Sequence, residues 1–284
     1  MAYRNRRVSR SRGGTLAILL LLFFLGCFMV LPLVYTVIQS LKPLDEIFIF
    51  PPRFWVKRPT LENFRSLGTL TSNLWVPFSR YLFNSLFVTI VDTGLQVVFA
   101  SMAAYPLAKG DFPGKRLIFS MVVISLLFTY DVVFIPRYIL ISTMGLVDTY
   151  WGMILPFLAF PLGLYLMRQN MLSFPDSVIE SARIDGAREA GIFWRILMPS
   201  LKPVWMTMIV FAFNGVWNMS DSSVIYSEQM KSLPTLLSQI SAAGVARMGV
   251  GAATSVLLII PPILIFLITQ SNVIETMASS GLKE

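Results

Sequence analysis

The sequence predicts an all-α integral membrane protein of six transmembrane helices joined by one long polar inner loop, and three observations predict it. The chain is 55% hydrophobic and only 13% charged. Its apolar residues are gathered into long stretches: no charge occurs between Arg12 and Lys42, Arg116 and Asp131, Asp148 and Arg168, Lys202 and Asp221, or Arg247 and Glu275, and only Asp92 between Arg80 and Lys109. A helix of about 20 apolar residues crosses the hydrocarbon with its backbone hydrogen bonds satisfied internally, so most of these windows are long enough to span. Lys and Arg are also shared unevenly between the two sides. With the amino terminus inside, 14 fall in inner segments and nine in outer ones, and Arg4, Arg6, Arg7, Arg10 and Arg12 precede the first span.

The spans are expected at Thr15 to Ile38, Leu82 to Leu107, Leu117 to Leu140, Tyr150 to Met167, Val204 to Asn218 and Val250 to Thr269. The arginines and the run Leu16 to Cys27 resemble a signal peptide, but apolar sequence continues through Val30 to Val37, which favours a retained helix. The third span has to include Asp131, and Pro261-Pro262 is expected to kink the last. Six spans put both termini on one side: a basic amino terminus (1–14), a membrane domain (15–270) and a tail (271–284), all the ends being cytoplasmic.

A net charge of +8 does not indicate nucleic acid, because the basic residues lie between spans and at the amino terminus rather than in a separate domain. With no His and one Cys, Cys27, the chain has no internal disulfide and no His- or Cys-built metal site. It also lacks the Gly-x-x-x-x-Gly-Lys-Ser/Thr phosphate loop, so it does not hold ATP in that way.

Three segments between spans are informative. Gln39 to Tyr81, outside, is rich in Pro and aromatics and suits a docking surface or a lid. Ser220 to Gly249, also outside, carries Asp221, Ser222, Ser223 and Tyr226. Arg168 to Pro203 is the long inner loop. Within it Ser177-Val178-Ile179-Glu180 fits a capping box. Asp185-Gly186 should interrupt the helix, Asp185 capping the next one. Ala187 to Leu197 sets Gly191 beside Ile192, Phe193, Ile196 and Leu197 before Met198-Pro199 ends it, presenting an apolar patch at the membrane surface.

Glu180-Ser181-Ala182, Gly186, Ile196 and Pro199 stand at the spacing of the importer-permease signature: Glu-Ala-Ala, three residues, Gly, nine residues, Ile-x-Leu-Pro. Ser181 and Met198 are its two mild departures. Pro59-Thr60-Leu61-Glu62-Asn63-Phe64, Asn84-Ser85-Leu86, Ala103 to Lys109, Phe112-Pro113-Gly114-Lys115, Ile184-Asp185-Gly186-Ala187 and Trp217-Asn218 extend the match over nearly the whole chain. The sequence thus resembles the permease subunits of ATP-binding-cassette importers, within them the maltose-type carbohydrate permeases.

The resemblance implies a cytoplasmic coupling helix inserted into an ATPase groove, with Glu180, Ser181, Ala182, Asp185, Gly186, Ala187, Gly191, Phe193, Ile196 and Pro199 as coupling residues. It implies a second homologous permease, two ATPase subunits that use the ATP and Mg, an extracytoplasmic binding protein that delivers the sugar, and a bacterial or archaeal plasma membrane. This chain itself would bind no cofactor. Small residues at Ala182 and Gly186 would let the partner approach, and Phe193 with Ile196 would anchor it.

Two polar faces are candidates for the substrate pathway. Ser85, Thr89, Asp92 and Gln96 recur at spacings of four, three and four, on one helical face. Asn214, Trp217 and Asn218 offer amides and an aromatic ring, the chemistry that binds sugars. Hydrogen bonding between helices is the alternative role for both. An ion-coupled transporter would need a binding or ion-coupling constellation within one chain, and a membrane enzyme carboxylate or Ser chemistry; Asp92 is the only carboxylate deep in a span and none are paired there.

Overall fold

The computed structural model describes residues 12–73, 76–219 and 224–281. In order, α1 is Arg12–Ser40, α2 Leu44–Ile47, α3 Glu62–Asn73, α4 Phe78–Lys109, α5 Lys115–Ser125, α6 Tyr130–Thr143 and α7 Tyr150–Ile154. Then come α8 Pro161–Leu172, α9 Asp176–Ile184, α10 Glu189–Gly191, α11 Met198–Ser200, α12 Lys202–Trp217, α13 Leu233–Ala242 and α14 Met248–Gly281. No strand forms among the described residues. The arginines before Arg12, Lys283, and Asp221, Ser222 and Ser223 lie outside them.

Among the described residues, three unbroken helices are long and apolar enough to cross a membrane: Gly13–Ser40, Phe78–Lys109 and Val245–Ser271. Of the other expected spans, the fifth is the single 16-residue helix α12 and the third and fourth are interrupted. The fourth is Tyr150–Phe157 followed by Pro161–Leu172 at 42°. Pro161 starts the second piece because it has no amide to continue the first. In place of one helix from Leu117 to Leu140 the chain forms α5 and α6, of 11 and 14 residues. Thr129 between them is extended, so Asp131 falls in the first turn of α6 and not inside a continuous span.

The core is built around α4, which packs on α8 and α12, while α12 packs on α14 and α1 rests chiefly on α14. Ala100, Ala104 and Ala108 recur every fourth residue on the buried face of α4, and small side chains at that spacing let helices approach closely. One apolar cluster joins this end of α4 to α8, α9 and the start of α12. Another joins its opposite end, through Tyr81, to Trp217, α13 and α14.

The last span is a single helix through Pro261 and Pro262. Pro262 has no N–H for the carbonyl of Leu258, four residues back. The indole Nε1 of Trp217 donates to that carbonyl instead, at 2.9 Å, with the ring stacked on Phe213. A side chain on α12 thus fills the backbone vacancy that a proline opens in α14, and the two helices are pinned where one is weakest.

Trp217→Phe is therefore expected to lower the stability of the purified protein by about 1 kcal/mol, the cost of an orphaned carbonyl in a membrane protein. Pro262→Ala, which restores the backbone donor, should recover most of that loss in the double variant. Equal and additive losses in thermal unfolding would contradict the assignment.

Candidate functional site

The inner loop follows α8. Its first helix, α9, is broken at the residue the sequence indicated. Gly186 takes φ +81°, a left-handed conformation that glycine adopts without penalty. The amide of Ala187 donates to Ala182 O at 2.9 Å and that of Gly186 to Arg183 O at 3.0 Å, the paired bonds of a Schellman turn.

Other local expectations are corrected. α9 starts at Asp176 with Pro175 as its cap, so Ser177 is already inside the helix and the capping box does not form. Ser181 Oγ instead donates back to Ser177 O at 2.7 Å. Asp185 closes α9 rather than capping the next helix, which begins after Arg188. Pro199 does not end the second stretch. The chain runs through a π-helical turn, Ile192–Leu197, into α11 and bends by 82° only at Leu201, into α12.

The apolar patch expected on the loop surface is turned inward. Phe193 is 5% exposed and lies 5.7 Å from the Tyr105 ring, with Ile192, Leu197 and Ala182 buried beside it and Ile196 packed against the same cluster. Ala182, Phe193 and Ile196 therefore seat the loop on its own chain. The surface that remains carries Glu180, Ser181, Asp185, Gly186, Ala187 and Pro199, all exposed, and Gly191, half-buried. At its tip stands Ile184, 87% exposed.

Charged hydrogen bonds fasten this loop to the end of α4. Tyr105 Oη donates to Glu189 Oε2 at 2.5 Å, and Arg183 Nε donates to Glu189 Oε1 at 2.8 Å. The Arg183 bond, then that of Tyr105, hold the Glu189 carboxyl below the usual carboxylate range. Lys109 Nζ reaches Asp176 Oδ1 and Phe174 O, both at 2.6 Å. Arg168 Nε caps Leu107 O at 3.0 Å and Lys115 Nζ bonds Gly110 O at 2.7 Å, so cations close the carboxyl end of α4. Arg168 also lies 3.7 Å over the Phe119 ring.

The face of α4 proposed from spacing does turn inward: Ser85, Thr89, Asp92 and Gln96 are all buried. Ser85 Oγ accepts the amide of Leu233 at 2.7 Å, capping the start of α13 from another helix. Ser85 and Thr89 meet Trp217 around a cavity of about 20 Å3, room for water and not for a sugar. Asp92 is fully buried and neither oxygen meets a donor among the described residues; Gln96, one turn on, faces it without hydrogen-bond geometry.

Gln96 and Asn218 come together with Phe157 and Phe160 in a groove of about 510 Å3 between α4, the segment joining α7 to α8, and α12. Asp92 and Asn214 line neither space. The amides of Asn214 and Asn218 donate to Val210 O and Asn214 O, both at 2.9 Å, on their own helix.

Several key residues were not singled out from sequence. Asn84 Nδ2 donates to Gln229 O and Lys231 O at 2.8 and 3.0 Å, while its Oδ1 accepts from Tyr150 Oη at 2.8 Å. Tyr81 Oη donates to Glu228 Oε1 at 2.8 Å, which with the Glu228–Lys231 ion pair fixes the segment before α13. Asn84 sits one residue outside the polar stripe of Ser85, and Tyr105, Lys109 and Ile184 lay within stretches noticed for their order and not for their chemistry.

Comparison with known proteins agrees with this architecture. The chain is 33% identical over 230 residues to Protein LplC of Bacillus subtilis (strain 168), covering 76% of this chain and 74% of that one. It is 32% identical over 270 residues to the arabinooligosaccharides transport system permease protein AraQ of the same organism, covering 94% and 95%. A chain of a bacterial ABC transporter involved in the import of the acidic polysaccharide alginate shares the fold, with a TM-score of 0.77 at 22% identity, over 92% of this chain and 98% of that one. Residues 96–277 match the family described as binding-protein-dependent transport system inner membrane component, and the chain belongs to that family.

Proposed function

We propose that this chain is the permease subunit of an ATP-driven importer of carbohydrate, an oligosaccharide or sugar derivative, and forms half of its translocation pathway. The observation that carries the reading is the inner loop. It has the importer-permease spacing from Glu180 to Pro199, and a single large aliphatic side chain, Ile184, stands out beside the tight turn at Gly186. A knob on a short, braced helix suits a groove on a partner. The names of the relatives support the sugar assignment, arabinooligosaccharides for AraQ and trehalose for the transport system permease protein SugB of Mycobacterium tuberculosis, 27% identical over 259 residues.

In this reading the chain crosses the membrane six times, α5 with α6 and α7 with α8 each serving as one crossing, and both termini are cytoplasmic. ATP and Mg are used by two ATPase subunits, a second homologous permease completes the pore, and an extracytoplasmic binding protein delivers the solute. Glu180, Ser181, Asp185, Gly186, Ala187 and Ile184 meet the ATPase, while Ala182, Gly191, Phe193, Ile196 and Pro199 seat the loop. ATP binding closes the ATPase pair and draws the loop with it, so that the pathway alternates between its two sides. Gln96 and Asn218, with Phe157 and Phe160, suit a passing sugar, whose hydroxyls take amide hydrogen bonds and whose C–H faces lie on aromatic rings. Ser85, Thr89, Asp92, Asn214 and Trp217 are assigned to the walls behind that groove.

Gly186→Leu and Ile184→Ser are each expected to abolish ATP-dependent uptake in proteoliposomes while leaving membrane insertion intact. An ATPase that still co-purifies and transports normally would defeat the reading. Tyr105→Phe and Glu189→Gln should leave ATP hydrolysis running but lower solute moved per ATP by about tenfold, the scale of one hydrogen bond to a charged group. Gln96→Leu and Asn218→Leu should raise the solute concentration for half-maximal uptake, with insertion and basal ATPase unchanged; unaltered uptake curves would remove both from the pathway.

A further inference from the structure

The apolar part of α1, Leu16 to Val37, is 22 residues long. At 1.5 Å per residue it measures about 33 Å, against a hydrocarbon core of about 30 Å. Ser40 to Lys42 therefore reach the headgroup level as α1 ends. The following segment does not leave for water. It folds back along the helix it has just left.

The fold-back is tightly stapled. Lys42 Nζ donates to Arg53 O and sits 5.7 Å from the Tyr35 ring. The Phe54 ring packs 5.5 Å from Tyr35, and Trp55 lies 5.3 Å from Phe54. Glu46 accepts the amides of Lys57 and Arg58 at 3.0 and 2.9 Å, and Asn63 Nδ2 ties Ser40 O and Lys42 O at 2.9 and 2.8 Å. Asn63 is itself pressed against Gly249, where any added Cβ would meet it at 2.5 Å. Tyr35 lies five residues before Ser40, about 7.5 Å back along the axis, so Phe54 is carried below the headgroup level.

On this frame Phe50 is 92% exposed and Trp55 69%, with Leu44 and Phe48 exposed earlier in the segment, Arg53 between the two rings in sequence and Lys57 just after them. A rigid segment holding aromatic side chains in water is costly, whereas aromatic rings and basic side chains are favoured together where acyl chains meet phosphates. We propose that Leu44 to Arg58 is an interfacial anchor, lying in the headgroup region of the leaflet where α1 ends. Its aromatic rings enter the acyl boundary and Arg53 and Lys57 rest on lipid phosphates. The partner is the bilayer, chosen over a protein surface because the patch continues the bilayer-facing surface of α1 through Tyr35 and Phe54. The anchor sets the depth of α1 and is independent of what the chain transports.

The test uses the assembled transporter carrying Cys27→Ser and either Phe50→Cys or Trp55→Cys, labelled with an environment-sensitive dye. It is reconstituted in vesicles of phosphatidylcholine and phosphatidylglycerol with nitroxides at the headgroup, at a shallow acyl carbon or at a deep one. Headgroup and shallow nitroxides should quench about twofold more than the deep one, and aqueous iodide should quench less than it does free dye. Full iodide quenching would overturn the proposal. So would shielding from iodide and nitroxides alike, which would mean that a protein partner covers the patch.

Discussion

α4 is gripped at both ends by groups from distant parts of the sequence, and most of the remaining packing depends on that. At one end Arg80, Tyr81 and Asn84 bind the segment around Glu228 to Lys231. At the other, Tyr105, Lys109 and the carbonyls that close the helix bind the inner loop and α8. Between them the buried face is small or polar, so that α8, α12 and α13 can approach. In a medium that offers no water to an unsatisfied backbone, such ties decide which surfaces are allowed to meet.

The same rule explains the junction of α12 and α14. A proline pair in a membrane helix leaves carbonyls without donors, and something nearby has to supply them. Trp217 does so for Leu258, which makes that tryptophan a structural pin in this conformation, although it read from sequence as one set with Asn218, which lines the groove. One helical face thus serves two purposes, and spacing alone does not separate them.

The long spans were legible because composition decides them: about 20 residues without charge have few other places to lie. The broken ones were not, since α5 and α6 differ from a continuous helix only in the backbone of Leu126 to Thr129, where no proline or glycine marks the stop. The glycine turn was legible because a left-handed residue between two helical stretches nearly names itself. What the loop buries was hidden. Phe193 and Ile184 are both large and apolar, and whether each faces its own chain or its surroundings depends on where α4 and α8 pass, which is a tertiary fact. Tyr105 and Lys109 were legible as neighbours in sequence but not as the partners of Glu189 and Asp176, residues 84 and 67 positions away.

α4 is 32 residues long, about 48 Å at helical rise, and its two gripped regions lie at opposite ends of it. A helix is stiff along its axis and transmits a displacement as a rigid body. The contacts at Glu189 and at the strap around Glu228 and Lys231 are therefore held apart by one continuous backbone. Its length, rather than the side-chain packing of the bundle, sets how far apart those two contacts lie.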